Sequence, residues 1–297
     1  MPLTPAARSA LARDALAGLA AGDAFGDQFF ARANRGLSAL RDLPPEPWEW
    51  SDDTEMACSV VAVLERHGGV DQDALAASFV RHRDVGRRYG MGALELLDRL
   101  ERGAHWATAA RELFDGGSYG NGAAMRVAPL GAYFADDPER AAEQAARSAE
   151  VTHAHPEGIA GAVATAVAAS FAASRRGARV AAGDVLAAAR DAVPPGSAVA
   201  RGLDRALALL PAPAAEAARE LGNGARISAQ DTVPFALWAA AVHLADFEAA
   251  VRACAAAGGD MDTTAAIAGG VIAAHGGADA VPAGWRAAHE PLPAWLG

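Results

Sequence analysis

No lysine occurs in the 297 residues; all 26 basic side chains are arginine. Schiff-base chemistry, a phosphate-loop lysine and a lysine general base are therefore excluded. Positive charge is also in short supply. Against 36 acidic residues the formal net charge is −10, which speaks against a partner held through its nucleic-acid backbone, since that needs clustered cations. Cysteine is nearly absent. Cys58 and Cys254 are the only two, so cysteine-rich zinc sites, iron–sulfur clusters and a disulfide framework are ruled out, and the expected setting is a reducing cytoplasm. Residues 1–23 carry Arg8, Arg13 and Asp14 within a helical pattern, so they do not read as a signal peptide. No run reads as the ~20 apolar residues of a membrane span, because Arg, Asp or Gly cuts each alanine-rich stretch.

What is present is alanine, with leucine, arginine and glutamate beside it. Aromatics make up 6%, and nothing alternates polar with apolar residues well enough to suggest a strand. Alanine is the best helix former and its companions rank close behind. Helical spacing is expected over 6–21, 54–67, 72–83, 93–102, 138–150, 156–174, 182–192, 214–221, 233–244 and 247–257. Glycine and proline punctuate these segments without forming a long linker. The expectation is one all-α domain over residues 1–297, with small side chains letting helix axes approach closely.

Four polar stretches break this pattern. Trp50-Ser51-Asp52-Asp53-Thr54 sets two carboxylates side by side; the simple explanation is a helix N-cap, the alternative a cation. Gly258-Gly259-Asp260-Met261-Asp262-Thr263-Thr264 again places acids and hydroxyls before a helix. Taken together, Ser51, Asp52, Asp53, Asp260, Asp262 and Thr263 form an all-oxygen set suited to hard cations such as Mg²⁺ or Mn²⁺. Four carboxylates exceed the charge of one divalent ion, so two ions are expected. The third stretch, Gly116-Gly117-Ser118-Tyr119-Gly120-Asn121-Gly122, exposes backbone N–H groups able to cradle phosphate oxygens without lysine, although a flexible loop has the same composition. The fourth, Thr152-His153-Ala154-His155-Pro156, lacks a third soft ligand. It suits contact with a substrate, or a cap on the helix that starts at Pro156.

These stretches, together with Gly22-Asp23-Ala24-Phe25-Gly26, Met125-Arg126-Val127-Ala128-Pro129-Leu130-Gly131 and Ala265-Ala266-Ile267-Ala268-Gly269, occur in an order that resembles the ADP-ribosylglycohydrolase family. The resemblance implies a compact orthogonal multi-helix domain with a binuclear Mg²⁺ or Mn²⁺ centre. It implies metal ligands at Ser51, Asp52, Asp53, Asp260, Asp262 and Thr263, and ADP-ribose contacts at Gly117, Ser118, Tyr119, Gly120, Asn121, Gly122 and His153. The implied reaction is hydrolysis of the glycosidic bond between ADP-ribose and an acceptor side chain, arginine or a similar mono-ADP-ribosyl conjugate. Asp52 or Asp53 would orient or deprotonate the attacking water. Free ADP-ribose or a modified protein is the expected partner, with neither membrane nor nucleic acid, and a monomer is expected. Three departures stand out: Ser51 for threonine, Met261 for threonine, and Phe30 where many relatives carry a glutamate. Asp27 or Glu49 could substitute for that acid. Alternatively the chain hydrolyses another riboside or nucleotide conjugate, or binds ADP-ribose with weak turnover. A helical scaffold with acidic caps is the plainest alternative.

Overall fold

The computed structural model describes residues 2–296. Among them every regular element is helical; the only β-type pairings are two isolated bridges, Trp48 with His289 and Gly120 with Ser228. Helix α1 (Pro5–Asp27) leads through an irregular stretch to α2 (Asp52–His67) and α3 (Gln72–His82). Next come α4 (Met91–Glu101), α5 (Trp106–Glu112), α6 (Ala128–Tyr133), α7 (Pro138–Glu150) and α8 (Pro156–Ser174). The remainder is α9 (Ala182–Asp191), α10 (Ala198–Ala208), α11 (Ala214–Leu221), α12 (Ala229–Val242), α13 (Phe247–Ala256), α14 (Met261–Gly276) and α15 (Ala283–Ala288).

The helices at 138–150, 156–174 and 214–221 begin and end where the sequence places them. Each opens with a proline at or just before its first residue, where a missing N–H costs nothing. The short helices α5, α6, α10 and α15 were not expected, and α6 is only six residues long, too short for periodicity to show. Helix α1 runs six residues beyond the expected Ala21, through Asp23 to Asp27. Tertiary packing, not propensity, carries it across three glycines.

Those glycines set the axis of the molecule. Gly18, Gly22 and Gly26 recur one turn apart on α1 and lie against α14. A methyl on them would stand 2.4 Å from the Gly269 carbonyl oxygen, 2.3 Å from that of Ala265 and 2.4 Å from that of Met261, respectively. Backbones this close leave no room for any side chain, and the two helices press together along most of their length. The apolar α8 packs with α14, α12, α6 and α7 around this pair. By length and composition α8 could cross a membrane, contrary to expectation, but 78% of its apolar window is buried inside the protein. One continuous core joins these helices, and a small separate cluster of Leu96, Ala109, Ala110 and Leu113 sits under α4 and α5.

Candidate active site

The close pairing of α1 with α14 brings three helix ends to one place. Ser51 is the N-cap of α2, its side chain accepting the Asp53 N–H at 3.2 Å. A cap was expected of the stretch, but from Asp53 or Thr54; with Ser51 in that role the helix starts at Asp52, and Asp52 and Asp53 have no capping duty. Asp260 is the N-cap residue of α14, yet its side chain makes no capping bond. Behind both lies Asp23 of α1, which the sequence analysis did not assign to the site. Fully buried, its carboxylate accepts the backbone N–H of Ser51 at 3.0 Å and of Thr54 at 3.1 Å, and the Thr54 hydroxyl at 2.5 Å. It therefore fixes the start of α2 relative to α1. An acid inside the apolar run from Ala15 to Phe25 was the available signal.

A cavity of about 660 Å³ opens in front of these residues. It is lined by Asp52, Asp53, Asp260, Asp262 and Thr263 and by Ser118–Gly122, Thr152 and His153. The two expected acidic stretches, 210 residues apart, thus meet: the Thr263 hydroxyl stands 3.5 Å from Asp53 Oδ1. Burial raises the pKa of all four carboxylates. Mutual repulsion adds to it for three of them: Asp262 on Asp53, Asp23 on Asp52, and Asp260 on Asp262. Asp52 is pushed up to about 8. Asp53 Oδ2 is buried with no hydrogen-bond partner. The oxygens do not form a closed shell as they stand, since no three acidic, His or Cys side chains among the described residues converge on one point.

Not every expected residue faces the cavity. Ser51 is fully buried behind the wall, and Gly117 lies against Ala154 and His155, where a methyl would come within 2.7 Å. Gly117 therefore serves packing instead of contributing to the cavity surface. Asn121 lines the cavity, but its amide is committed within the protein. It donates to Asp260 Oδ2 at 2.6 Å and to the Thr232 hydroxyl at 3.0 Å, tying the glycine-rich loop to the carboxylate end. Gly120 and Gly122 flank the His153 ring; added methyls would stand 3.2 and 3.1 Å from it. The His153 Nδ1 lies 2.7 Å from the Thr152 hydroxyl, and burial holds the ring neutral, with its pKa lowered to about 3. His155 caps α8 through the Glu157 N–H, as one of its two expected roles.

Beneath the loop sits Arg126, fully buried, donating to the Ser148 carbonyl and the Thr152 hydroxyl. Its guanidinium is 4.6 Å from the Phe79 ring centre, a cation–π contact that partly offsets lost hydration. The apolar lining is formed by the exposed Met91, Phe114 and Ile227 and the buried Leu96, Leu97 and Leu113. The only non-glycine residues with left-handed backbone among those described are Arg88, Phe114, Asp115 and Ile227. Three of these four line the cavity, so the strained positions cluster there. Phe30 is half exposed and does not line it, and neither do Asp27 and Glu49. Asp27 faces Arg88, whose Nε is 2.6 Å from its Oδ1.

The site thus belongs to a helical domain in which paired acidic helix starts and a glycine-rich loop line one cavity. The ADP-ribosylglycohydrolase family model matches residues 4–296, and the chain belongs to that family. It is 31% identical over 275 residues to "ADP-ribosylhydrolase ARH3" of Xenopus tropicalis, covering 81% of this chain and 77% of that one. To the human ADP-ribosylhydrolase ARH3 it is 29% identical, covering 94% of this chain and 88% of the other. A solved structure titled "ADP-ribosylglycohydrolase-related protein complex" superposes with a TM-score of 0.67 at 27% identity, over 96% of this chain and 94% of that one.

Proposed function

We propose that this chain hydrolyses the bond joining ADP-ribose to an acceptor group in a metal-dependent manner. The observation that carries the reading is one cavity lined both by the four carboxylates and by the glycine-rich loop Ser118–Gly122. The donor set fits hard divalent ions: it is all oxygen, Asp53 Oδ2 is buried and orphaned, and the Asp260 and Asp262 side chains lie within hydrogen-bonding reach of each other. Asp52, Asp53, Asp260, Asp262 and Thr263 would hold Mg²⁺ or Mn²⁺, and the charge of four carboxylates calls for two ions. Ser51 would contribute by holding Asp53 in place. Bound ions would make a water acidic enough to attack at neutral pH and would fix the distal ribose hydroxyls.

The remaining work belongs to the protein. Asp52 or Asp53 orients that water and accepts its proton. Amides of the Ser118–Gly122 loop other than that of Gly120, which donates to the Ser118 hydroxyl, receive the diphosphate, the buried positive charge of Arg126 lies nearby, and neutral His153 hydrogen-bonds without adding charge. Phe114, Tyr119 and Ile227 present exposed apolar surface on which a purine can stack. A reducing cytoplasm as the setting is our reading of the scarcity of cysteine alone, and a monomer is tested by light scattering.

The test is release of free ADP-ribose from arginine-, serine- and glutamate-linked peptides with Mg²⁺ or Mn²⁺, and its loss on chelation. No release from any conjugate in the presence of metal overturns the reading. A second reading, an ADP-ribose-binding module with weak turnover, is favoured by one observation: no acid beyond those four carboxylates lines the cavity. It is recognised by calorimetric binding of ADP-ribose without cleavage.

A further inference from the structure

Arg88 is the residue of the cavity wall that the reading above leaves unused. It occupies a left-handed backbone position, φ +64°, which an arginine adopts only when its surroundings hold it there. Its side chain lines the cavity and is 40% exposed. Two contacts fix it beside the carboxylate end: Nε to Asp27, one turn beyond Asp23 on α1, and Nη2 to the Trp50 carbonyl at 3.4 Å, next to Ser51. Among the described residues its Nη1 makes no hydrogen bond. The neighbouring cations are spent. Arg87 stacks on the Trp50 ring and pairs with Glu290, and Arg126 is buried on Ser148 and Thr152. Arg88 is thus the cation of this wall with donors to spare.

We propose that Arg88 determines acceptor specificity: it receives the departing group, favours an acceptor that leaves as a carboxylate, and bars a cationic one. The inference rests on the hydrolase reading. A guanidinium stays protonated at any relevant pH, so it stabilises an anion by hydrogen bonding and charge but gives up no proton. In a glutamate- or aspartate-linked conjugate, water oxygen bonds to C1″ while the C1″–O bond breaks. The electron pair leaves with the acceptor as a carboxylate, and the proton of the water passes to a site carboxylate and then to solvent. Such a departure needs no general acid. An arginine-linked conjugate brings a second guanidinium against Arg88, a like-charge contact that discriminates against it.

The experiment compares glutamate-linked and arginine-linked ADP-ribosyl peptides with Mg²⁺ present, using the full chain and its Arg88→Gly variant. Glycine is at ease at positive φ, so this variant removes the guanidinium without straining the fold. The wild type is expected to cleave the glutamate conjugate with kcat/KM at least about tenfold above the arginine conjugate. Arg88→Gly should lose about a hundredfold on the glutamate conjugate and gain on the arginine conjugate, from which the like-charge contact has been removed. Its calorimetric affinities for Mn²⁺ and for ADP-ribose should stay at the wild-type values. In ¹⁸O water the released glutamate must remain unlabelled, since C1″–O and not the acyl bond breaks. Equal cleavage of both conjugates, an equal loss on both in the variant, or label in the glutamate overturns the inference while leaving the hydrolase reading intact. No cleavage of any conjugate by the wild type overturns both.

Discussion

The two ends of the cavity are built in opposite ways. The carboxylate end stands on α1, α2 and α14, where glycine-to-backbone contacts and the buried Asp23 leave nothing free to move. The rim opposite stands on loops and the starts of short helices, with Met91, Phe114 and Ile227 exposed and two of these three in left-handed backbone. Rigidity is concentrated where like charges must be held together, since separating them would relieve their repulsion. Adaptable apolar surface is placed where a ligand must enter and leave.

The contrast is broken most severely at its charged end. Asp53→Asn should abolish divalent-ion binding by calorimetry and lower turnover about a thousandfold or more, by losing several kcal/mol of charge stabilisation. The same change should raise the melting temperature of the metal-free protein, because one repelling buried charge is gone. Retained Mn²⁺ affinity would show that the carboxylates do not act as a ligand set. Next in size is Gly22→Ala. Its methyl would stand 2.3 Å from the Ala265 carbonyl oxygen, so the helices must separate, at a cost of about 1–3 kcal/mol or more in urea unfolding.

A pH dependence sharpens the comparison further. The Asp52 pKa is raised from 3.8 to about 8 in the folded chain. The folded state then binds more protons than the unfolded one between these values, so the contribution to stability is complete below about 4 and lost as pH climbs through about 8. Melting temperatures of the metal-free protein should therefore fall across that window. Saturating Mg²⁺ should flatten the slope by favouring the ionised carboxylates. A metal-free profile that is level or rising would refute the assignment. The smallest effect belongs to the rim. Phe114→Gly should change stability by less than about 1 kcal/mol, because the left-handed position suits glycine and offsets the little packing lost, while KM for the ADP-ribosyl conjugate rises severalfold with kcat nearly unchanged.

The charged end was more legible in the sequence than the rim. Two acidic stretches at helix starts, Asp52-Asp53 and Asp260-Met261-Asp262, each with hydroxyls beside them, signalled this end, and both do line the same cavity. Most of the longer helices were legible from propensity, although the eleven-residue α10 was not. Asp23 escaped because a lone acid in an apolar helix carries no spacing of its own; only the approach of α2 reveals its partners. Arg88, Phe114 and Ile227 escaped for a different reason. Left-handed backbone at non-glycine residues is imposed by tertiary contacts, and no local pattern encodes it. Gly117 was misjudged because a glycine that permits packing and a glycine that exposes an amide look the same in sequence.

The pairing of α1 with α14 also bears on how the molecule comes into being. The first long helix to leave the ribosome has its glycine-bearing face matched to one of the last, some 240 residues later. Until that late helix emerges, the early one carries an unsatisfied apolar stripe. Assembly of the reactive centre is therefore among the final events of folding, and a chain interrupted before residue 261 would hold one half of its acidic cluster and nothing to close it.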